Sequence, residues 1–215
     1  MIKLYGFPVS NYYNMVKFAL LEKGADFEEV AAMPSQESDF LLKSPMGKVP
    51  CIETDDGFIS ETFAILEYIE ETVDGPSLYP STPYARAKCR EIMLVTKLNI
   101  ELTARRHYPH LFFGEDRNED AVTQVKPVLD NGVGAITKLA NFGPYLMGSQ
   151  FTYADIVVYY SLGFPAGVAQ AIYQWDIIGA IPGMQESRAA VAARPHCQAV
   201  EKVFEAALAE FQANS

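Results

Sequence analysis

The chain has 215 residues, of which 49% are hydrophobic, and a formal net charge of −10. This length and composition favour a globular protein with one large domain or two modest ones. The negative charge argues against a nucleic-acid partner, because contact with the phosphate backbone requires clustered Lys and Arg. The sequence Arg105-Arg106-His107 is only a local basic patch.

Membrane and metal functions are also disfavoured. No apolar run reaches the roughly 18 to 20 residues that a membrane helix needs, and the first six residues predict a short strand and not a signal sequence. We therefore expect a cytoplasmic protein with no membrane partner. The three cysteines, Cys51, Cys89 and Cys197, lie far apart without metal-ligand spacing, so neither a disulfide framework nor a metal site is predicted.

The first thirty residues predict a β-α-β unit. Lys3-Leu4-Tyr5 forms a strand, and after a turn Ser10 or Asn11 caps a helix that stops at Gly24. Residues 26–30 alternate like a second strand, which a right-handed crossover places parallel to the first. A short helix is predicted at residues 38–43.

Residues 47–72 form the most informative stretch. Two short strands flank a tight turn at Asp56-Gly57, and a helix then begins at Glu61 and Thr62. Pro50 falls inside the first predicted strand, where it cannot donate a ladder hydrogen bond, so a strand edge or a cis bond is expected. The helix start offers N–H groups and a positive dipole end that suit a carboxylate.

Residues 73–83 contain three prolines and predict a linker, and the chain beyond them is predicted to be helical. The helices are expected at residues 84 to about 113, 118–141, from 152 onwards, from 181 onwards and at the C-terminus. Thr152-Tyr153-Ala154-Asp155 is close to a capping box. Gly and Pro at residues 163–167 predict a kink or an end of the helix that the box begins.

These pieces in this order resemble the cytosolic, bacterial-type glutathione S-transferases over nearly the whole chain. The specific motifs are Gly47-Lys48-Val49-Pro50, the Glu61-Thr62 pair with its helix, and Phe151-Thr152-Tyr153-Ala154-Asp155. The resemblance implies a thioredoxin-like α/β domain at residues 1–75, a linker at 76–83 and an all-α domain at 84–215. It also implies glutathione as co-substrate, no metal, and a homodimer.

The resemblance also implies roles for individual residues. Val49, beside a cis Pro50, would pair its backbone with the cysteinyl unit of glutathione like an added strand. Glu61 would hold the ammonium group of the ligand, and Thr62 with the helix amides would hold its γ-glutamyl carboxylate. Lys48 would reach the glycyl carboxylate, although an ordinary solvated lysine is the alternative.

The catalytic position follows from Pro8-Val9-Ser10, which is similar to the motif of family members that use serine. Ser10 is the first choice as hydrogen-bond donor to the thiolate, with Asn11, Tyr12 and Tyr13 as alternatives. Such members usually have arginine near the place of Asn14 or Met15, which this chain lacks, so its subclass stays open. The expected lining of the second-substrate pocket is Phe7, Tyr12, His107 and Tyr108.

Three functions are considered. The first is conjugation of glutathione to small hydrophobic electrophiles through a stabilised thiolate. The second is a glutathione-dependent disulfide or peroxide reductase, which is favoured if Asn11 faces the sulfur. The third is a non-catalytic binding or interaction protein, but the combined presence of Lys48, Val49, Glu61 and Thr62 argues against it. The natural second substrate does not follow from the sequence.

Overall fold

The computed structural model describes residues 1–213, apart from the side chains of Phe211 and Gln212. The chain forms two compact units. The first consists of Met1–Leu78 together with the described part of Ala192–Ser215, and the second is Tyr79–Val191. The fold is a thioredoxin-like α/β domain followed by helices, as the sequence predicts.

A four-stranded sheet with the strand order β2-β1-β3-β4 forms the centre of the first unit. Strands β1 and β2 are parallel, whereas β3 is antiparallel to both β1 and β4. The elements up to residue 78 are β1 (Ile2–Gly6), α1 (Asn11–Lys23), β2 (Phe27–Ala31), α2 (Ser38–Leu41), β3 (Cys51–Thr54), β4 (Gly57–Ser60) and α3 (Thr62–Thr72).

The register of this sheet brings three segments to one edge. Tyr5, near the end of β1, lies opposite Cys51 at the start of β3, and Cys51 lies opposite Ser60 at the end of β4. Residues 7–10 follow β1, residues 49–50 precede β3, and residues 61–62 follow β4. All the glutathione-binding and thiolate-donating residues that the sequence predicts lie in or directly beside these segments.

The position of Pro50 differs from the prediction. Strand β3 begins only at Cys51, so Pro50 precedes the strand and does not lie inside it. The reason is that proline has no N–H with which to join the ladder. The Val49–Pro50 peptide bond is cis, one of the two geometries expected for Pro50, and Cys51 is fully buried.

A buried ion pair joins the C-terminal ends of α1 and α3. Lys23 Nζ lies 3.3 Å from Glu70 Oε2, and the two side chains are only 3% and 6% exposed. Glu70 also accepts hydrogen bonds from the Ser77 hydroxyl (2.5 Å) and the Leu78 N–H (3.2 Å). The contact matters for the site because the opposite ends of the same two helices carry Ser10 and Glu61.

The second unit is mainly helical. Its elements are α4 (Pro83–Thr96), a π-helical turn (Lys97–Glu101), α5 (Leu102–Ala104), a 3-10 turn (Arg105–His107), α6 (Tyr108–Phe113), α7 (Glu119–Leu139), β5 (Asn141–Phe142), β6 (Met147–Gly148), α8 (Tyr153–Tyr173) and α9 (Met184–Ala192). The predicted helix over residues 84–113 is therefore one helical run with changes of pitch. Helix α8 does not end at residues 163–167 but continues through Pro165 to Tyr173, and its second half still buries one face at Pro165, Val168 and Ala169.

The capping box that begins α8 is present and buried. Asp155 accepts hydrogen bonds from the N–H of Thr152 and of Leu146, both at 2.8 Å. Burial raises the pKa of Asp155 from its ordinary 3.8 to about 6, against the opposing effect of these bonds. Between these values the folded chain keeps a proton that the unfolded chain releases, so the contribution of Asp155 to stability falls as the pH rises through this range.

Helix α8 is long and apolar enough, by length and composition alone, to cross a membrane. Half of its most apolar window is buried inside the protein, and core helices of globular proteins pass the same test. This property is therefore weak evidence for a membrane segment.

The C-terminal helix, α10 (Pro195–Ala213), belongs to the first unit. Just before its start, Arg194 forms a two-pronged ion pair with Glu22 of α1, with Nε 2.9 Å from Oε1. This grouping differs from the predicted all-α domain at residues 84–215. The reason is that the chain returns to α1 after α9, through contacts between residues that are far apart in the sequence. Residues 214 and 215 of that predicted domain lie outside the described residues.

We expect Glu70→Gln to lower the free energy of unfolding by about 3 kcal/mol, because Lys23 would keep a buried charge without its carboxylate partner. The neighbouring Glu71 is exposed, so Glu71→Gln is the matched control and should leave stability unchanged. Thermal and denaturant unfolding of the two variants measure the difference. Equal stability of both variants would show that the Lys23–Glu70 ion pair does not stabilise the packing of α1 against α3.

Candidate active site

Ser10 lies at the start of α1 as its N-cap. Its Oγ accepts a hydrogen bond from the Tyr13 N–H at 3.3 Å, while its own N–H donates to the Phe7 carbonyl at 3.0 Å. The side chain is half-buried, and its hydroxyl proton is donated to no residue in the described part of the chain. The hydroxyl can therefore donate to a group placed at the helix start, where the positive end of the helix dipole also favours an anion.

Tyr13 is directed away from that position. Its hydroxyl donates to the Glu29 carboxylate, which also forms an ion pair with Lys17 at 2.8 Å. A Cβ at Gly6 would lie only 2.4 Å from Cδ2 of the Tyr13 ring, so glycine at this position allows the ring to pack there. Burial and the bond to Glu29 raise the pKa of Tyr13 well above its ordinary value. Tyr13 is thus a packing residue whose hydroxyl already donates its proton to Glu29.

The other two alternatives to Ser10 differ in accessibility. Asn11 is only 5% exposed, whereas Tyr12 and Ser10 are half-buried. A group that must meet a ligand sulfur needs an accessible polar atom. The exposure pattern therefore favours Ser10 over Asn11 as the thiolate donor.

The start of α3 forms the second part of the site. Glu61 has a φ of 68°, in the left-handed region that non-glycine residues rarely adopt, and its side chain is exposed. Backbone strain of this kind is found preferentially at functional sites. Thr62 is buried, and its hydroxyl has no hydrogen-bond partner among the described residues. An anionic ligand group could therefore use the hydroxyl and the first helix amides together.

Residues 48 and 49 supply the third part. Neither backbone group of Val49 is hydrogen-bonded to another residue of the described chain, although β3 begins two residues later. The buried Ser44 holds the preceding residue, since its hydroxyl donates to the Lys48 carbonyl (2.7 Å) and accepts from the Lys48 N–H (3.3 Å). The Lys48 side chain itself is exposed. This segment presents an open backbone edge with a cation beside it.

His107 lies in the second unit and takes part in a hydrogen-bond chain. Its Nε2 is 2.7 Å from the hydroxyl of Tyr173, which donates to the Val122 carbonyl at 3.1 Å. Because the tyrosine hydroxyl has one proton, His107 must donate its Nε2–H to that oxygen. Burial, together with Arg106, lowers the pKa of His107 and so favours the neutral ring. These contacts support a structural role that links α7 and α8.

Tyr108 belongs to an aromatic cluster of the second unit. Its ring lies 5.0 Å from that of Phe112 and 6.1 Å from that of Phe164, measured between centroids. Its hydroxyl is buried and has no hydrogen-bond partner among residues 1–213. Phe7 and Tyr12, by contrast, belong to the first unit, and the joint pocket of Phe7, Tyr12, His107 and Tyr108 stays a prediction.

Two family models match the chain. The N-terminal domain of glutathione S-transferases matches residues 4–77, and the C-terminal domain matches residues 104–202. A glutathione S-transferase of Pseudomonas putida is 39% identical over 211 residues, which cover 98% of this chain and 96% of the relative. The chain belongs to the glutathione S-transferase family. The family predicted from the motifs is thereby confirmed, and with it an enzyme of the transferase class.

Solved structures of glutathione S-transferases have the same fold. A maleylacetoacetate isomerase of Methylobacterium extorquens AM1, solved with bound malonate and GSH (glutathione), is 25% identical with a TM-score of 0.74 and covers 94% of this chain and 97% of its own. A zeta-class maleyl pyruvate isomerase is 23% identical with a TM-score of 0.73 and covers 92% of this chain and 95% of its own. The second likeness shows the fold alone.

Within this glutathione S-transferase, sequence reasoning missed three contributors to the site. Ser44 holds Lys48, Glu29 engages Tyr13, and Asn14 holds the turn before Ser10. In the sequence, Asn14 differs from similar family members only in that they usually have arginine near this position. The signal that could have identified it was an asparagine inside the predicted helix, four residues after the predicted serine.

We expect Tyr13→Phe to leave transferase activity and the pKa of bound glutathione unchanged, because the Tyr13 hydroxyl is committed to Glu29. The free energy of unfolding should fall by about 1 to 2 kcal/mol, since a hydrogen bond to a charged group is lost. Activity assays and denaturant unfolding of the purified variant measure both quantities. Loss of activity in a variant as stable as the wild type would return Tyr13 to the list of thiolate donors.

Proposed function

We propose that this enzyme conjugates glutathione to small hydrophobic electrophiles by stabilising the glutathione thiolate. The observation that carries the proposal is the Ser10 hydroxyl, whose oxygen is held by the Tyr13 N–H and whose proton is donated to no described residue. A free thiol has a pKa of about 8.5 and is mostly protonated at neutral pH. A hydroxyl donor at a helix N-terminus lowers that pKa and increases the fraction of nucleophilic thiolate.

Glutathione is placed by the three segments at the sheet edge. The unpaired backbone of Val49, beside Pro50, pairs with the cysteinyl unit as an added strand. Glu61 binds the ammonium group, and Thr62 with the first amides of α3 binds the γ-glutamyl carboxylate. Lys48 attracts the glycyl carboxylate. The similar isomerase with bound GSH supports glutathione as the ligand.

The second substrate is an apolar molecule in this proposal. Within the second unit, the Tyr108, Phe112 and Phe164 rings form an edge-to-face cluster that suits a flat ring. His107 supports this segment from within the second unit through Tyr173. The attacking sulfur forms a bond to the electrophilic carbon, and a leaving group departs or a proton adds to the neighbouring atom.

Conjugation is favoured over reduction by the start of α1. Residues 10–13 contain no cysteine, so a disulfide exchange would have to use the sulfur of glutathione itself. The reductase alternative is favoured if Asn11 faces the sulfur, but Asn11 is buried and Ser10 is the more accessible residue. A non-catalytic role is disfavoured because the Ser10 hydroxyl and the complete set of predicted glutathione contacts are both retained.

Ser10→Ala tests the thiolate donor. The pKa of enzyme-bound glutathione, measured from the ultraviolet absorbance of its thiolate, should rise toward about 8.5. The rate of conjugation should fall about 100-fold, as on loss of one donor to a developing anion. Ser10→Thr, which keeps the hydroxyl, should retain most activity.

Thr82→Ala is the control, since it removes an exposed N-cap from α4 of the second unit and should not change the thiol pKa. An unchanged thiol pKa in Ser10→Ala would exclude Ser10 as the donor.

Substrate class is tested with a panel of model electrophiles, disulfides, hydroperoxides and maleylacetoacetate. Turnover of disulfides or hydroperoxides alone would exclude conjugation.

Glu61→Gln tests glutathione binding. We expect glutathione affinity to fall roughly tenfold or more, because a charge-assisted hydrogen bond to the ammonium group is lost. Calorimetric titration and retention on a glutathione matrix measure the effect. Glu71→Gln at the other end of α3 is the matched control and should bind like the wild type. If both variants bind equally, the assignment of Glu61 to the ligand is wrong.

We also propose a cytoplasmic homodimer. The three cysteines are buried free thiols, which is typical of proteins in a reducing compartment. Leu94, Leu98 and Leu102 recur every four residues on one face of the second unit and are 45%, 53% and 40% exposed. A second copy packed on this leucine stripe would place leucine on leucine and remove the stripe from water.

Leu98→Glu tests this interface. The wild type should be a dimer by light scattering, and the variant should be a monomer at the same concentration, since two carboxylates would meet at the two-fold axis. Leu42→Glu, at an 80% exposed leucine of the first unit, is the control and should remain dimeric. A monomeric wild type, or a dimeric Leu98→Glu, would contradict the proposed interface.

A further inference from the structure

Asn14 is a buried polar residue that the thiolate chemistry described above does not use. It is only 1% exposed, although it lies in the second turn of α1. Its side-chain Nδ2 donates a hydrogen bond of 2.8 Å to the Pro8 carbonyl, six residues earlier in the chain. Its backbone N–H donates to the Ser10 carbonyl at 3.0 Å. Asn14 therefore holds the chain on both sides of Val9.

The turn from Phe7 to Ser10 depends on few bonds. One bond joins the Ser10 N–H to the Phe7 carbonyl (3.0 Å), and another joins the Tyr13 N–H to Ser10 Oγ (3.3 Å). Pro8 has no N–H, so its carbonyl is its single backbone hydrogen-bonding group. The Asn14 side-chain amide donates a hydrogen bond to this carbonyl. Without it, the peptide between Pro8 and Val9 could rotate and displace Ser10.

We propose that Asn14 is a positioning residue for glutathione conjugation, which holds the Pro8 carbonyl and thereby aims the Ser10 hydroxyl at the glutathione sulfur. The inference rests on the proposed function of Ser10. An uncharged amide suits the task because it donates to a carbonyl without placing a charge in the interior. Small displacements of a reacting group have large effects on rate, so a residue that never touches the substrate can still control it.

The first test is Asn14→Ala. We expect the pKa of bound glutathione to rise toward about 8.5. We also expect kcat/KM for conjugation to fall about tenfold, because the donor is misplaced and not removed. Glutathione affinity should change little, since Val49, Glu61 and Thr62 are untouched. A residue that only stabilised the fold would lower the melting temperature and leave the thiol pKa at its wild-type value.

The second test combines Asn14→Ala with Ser10→Ala. If Asn14 acts through Ser10, the double variant should have the same bound-thiol pKa as Ser10→Ala alone. Equal shifts from Asn14→Ala in both backgrounds would overturn the inference, because Asn14 would then act independently of Ser10. An unchanged thiol pKa in Asn14→Ala, with a raised one in Ser10→Ala, would overturn the role of Asn14 alone. An unchanged thiol pKa in Ser10→Ala would overturn both proposals.

Two further variants complete the design. Asn99→Ala removes a comparable bond from an asparagine amide to a backbone carbonyl, that of Val95 at 3.3 Å, in the second unit. It should leave the thiol pKa unchanged. If Asn14→Ala does not fold, Asn14→Ser replaces it, because serine is too short to reach the Pro8 carbonyl but keeps a polar group. It should raise the thiol pKa in the same direction, and a wild-type value would overturn the inference.

Discussion

The buried ion pair between Lys23 and Glu70 is the contact on which the arrangement of the site depends. It joins two helices at their C-terminal ends, and the N-terminal ends of the same helices carry Ser10 and Glu61. Burial of two charges is unfavourable unless further hydrogen bonds satisfy them, and Glu70 has these from Ser77 and Leu78. The two helices that carry Ser10 and Glu61 are therefore joined at the ends opposite these residues.

Backbone groups contribute as much to the site as side chains do. The sheet register places the ends of β1 and β4 beside the start of β3, so two helix N-termini and the open backbone of Val49 face one edge. Such groups recognise the carboxylate, amide and thiolate groups of a peptide through hydrogen bonds that need few specific residues. The strained Glu61 is the exception, since its conformation costs free energy that a purely structural position would not need.

Several polar side chains near the site are occupied structurally. The Tyr13 hydroxyl donates to Glu29, and His107 donates to Tyr173. Both residue types serve as catalysts elsewhere, but here their polar atoms are buried and bonded. Ser10 differs because its hydroxyl proton is donated to no described residue, and for this reason we propose it as the thiolate donor. The aromatic cluster around Tyr108 belongs to the second unit, whereas Ser10, Val49 and Glu61 belong to the first.

The sequence by itself determined the family, the fold class and local signals: a helix cap at Ser10 or Asn11, the Thr152 cap, the Gly24 stop and the helix start at Glu61 and Thr62. Each of these local signals depends on residues within one turn of each other. Tertiary structure decided the position of Pro50 before β3, the continuation of α8 through Pro165 and the return of the C-terminal helix to α1. The reason is distance along the chain, since Arg194 meets Glu22 across 172 residues. The same holds for Tyr13, whose hydroxyl is committed only because β2 places Glu29 beside it.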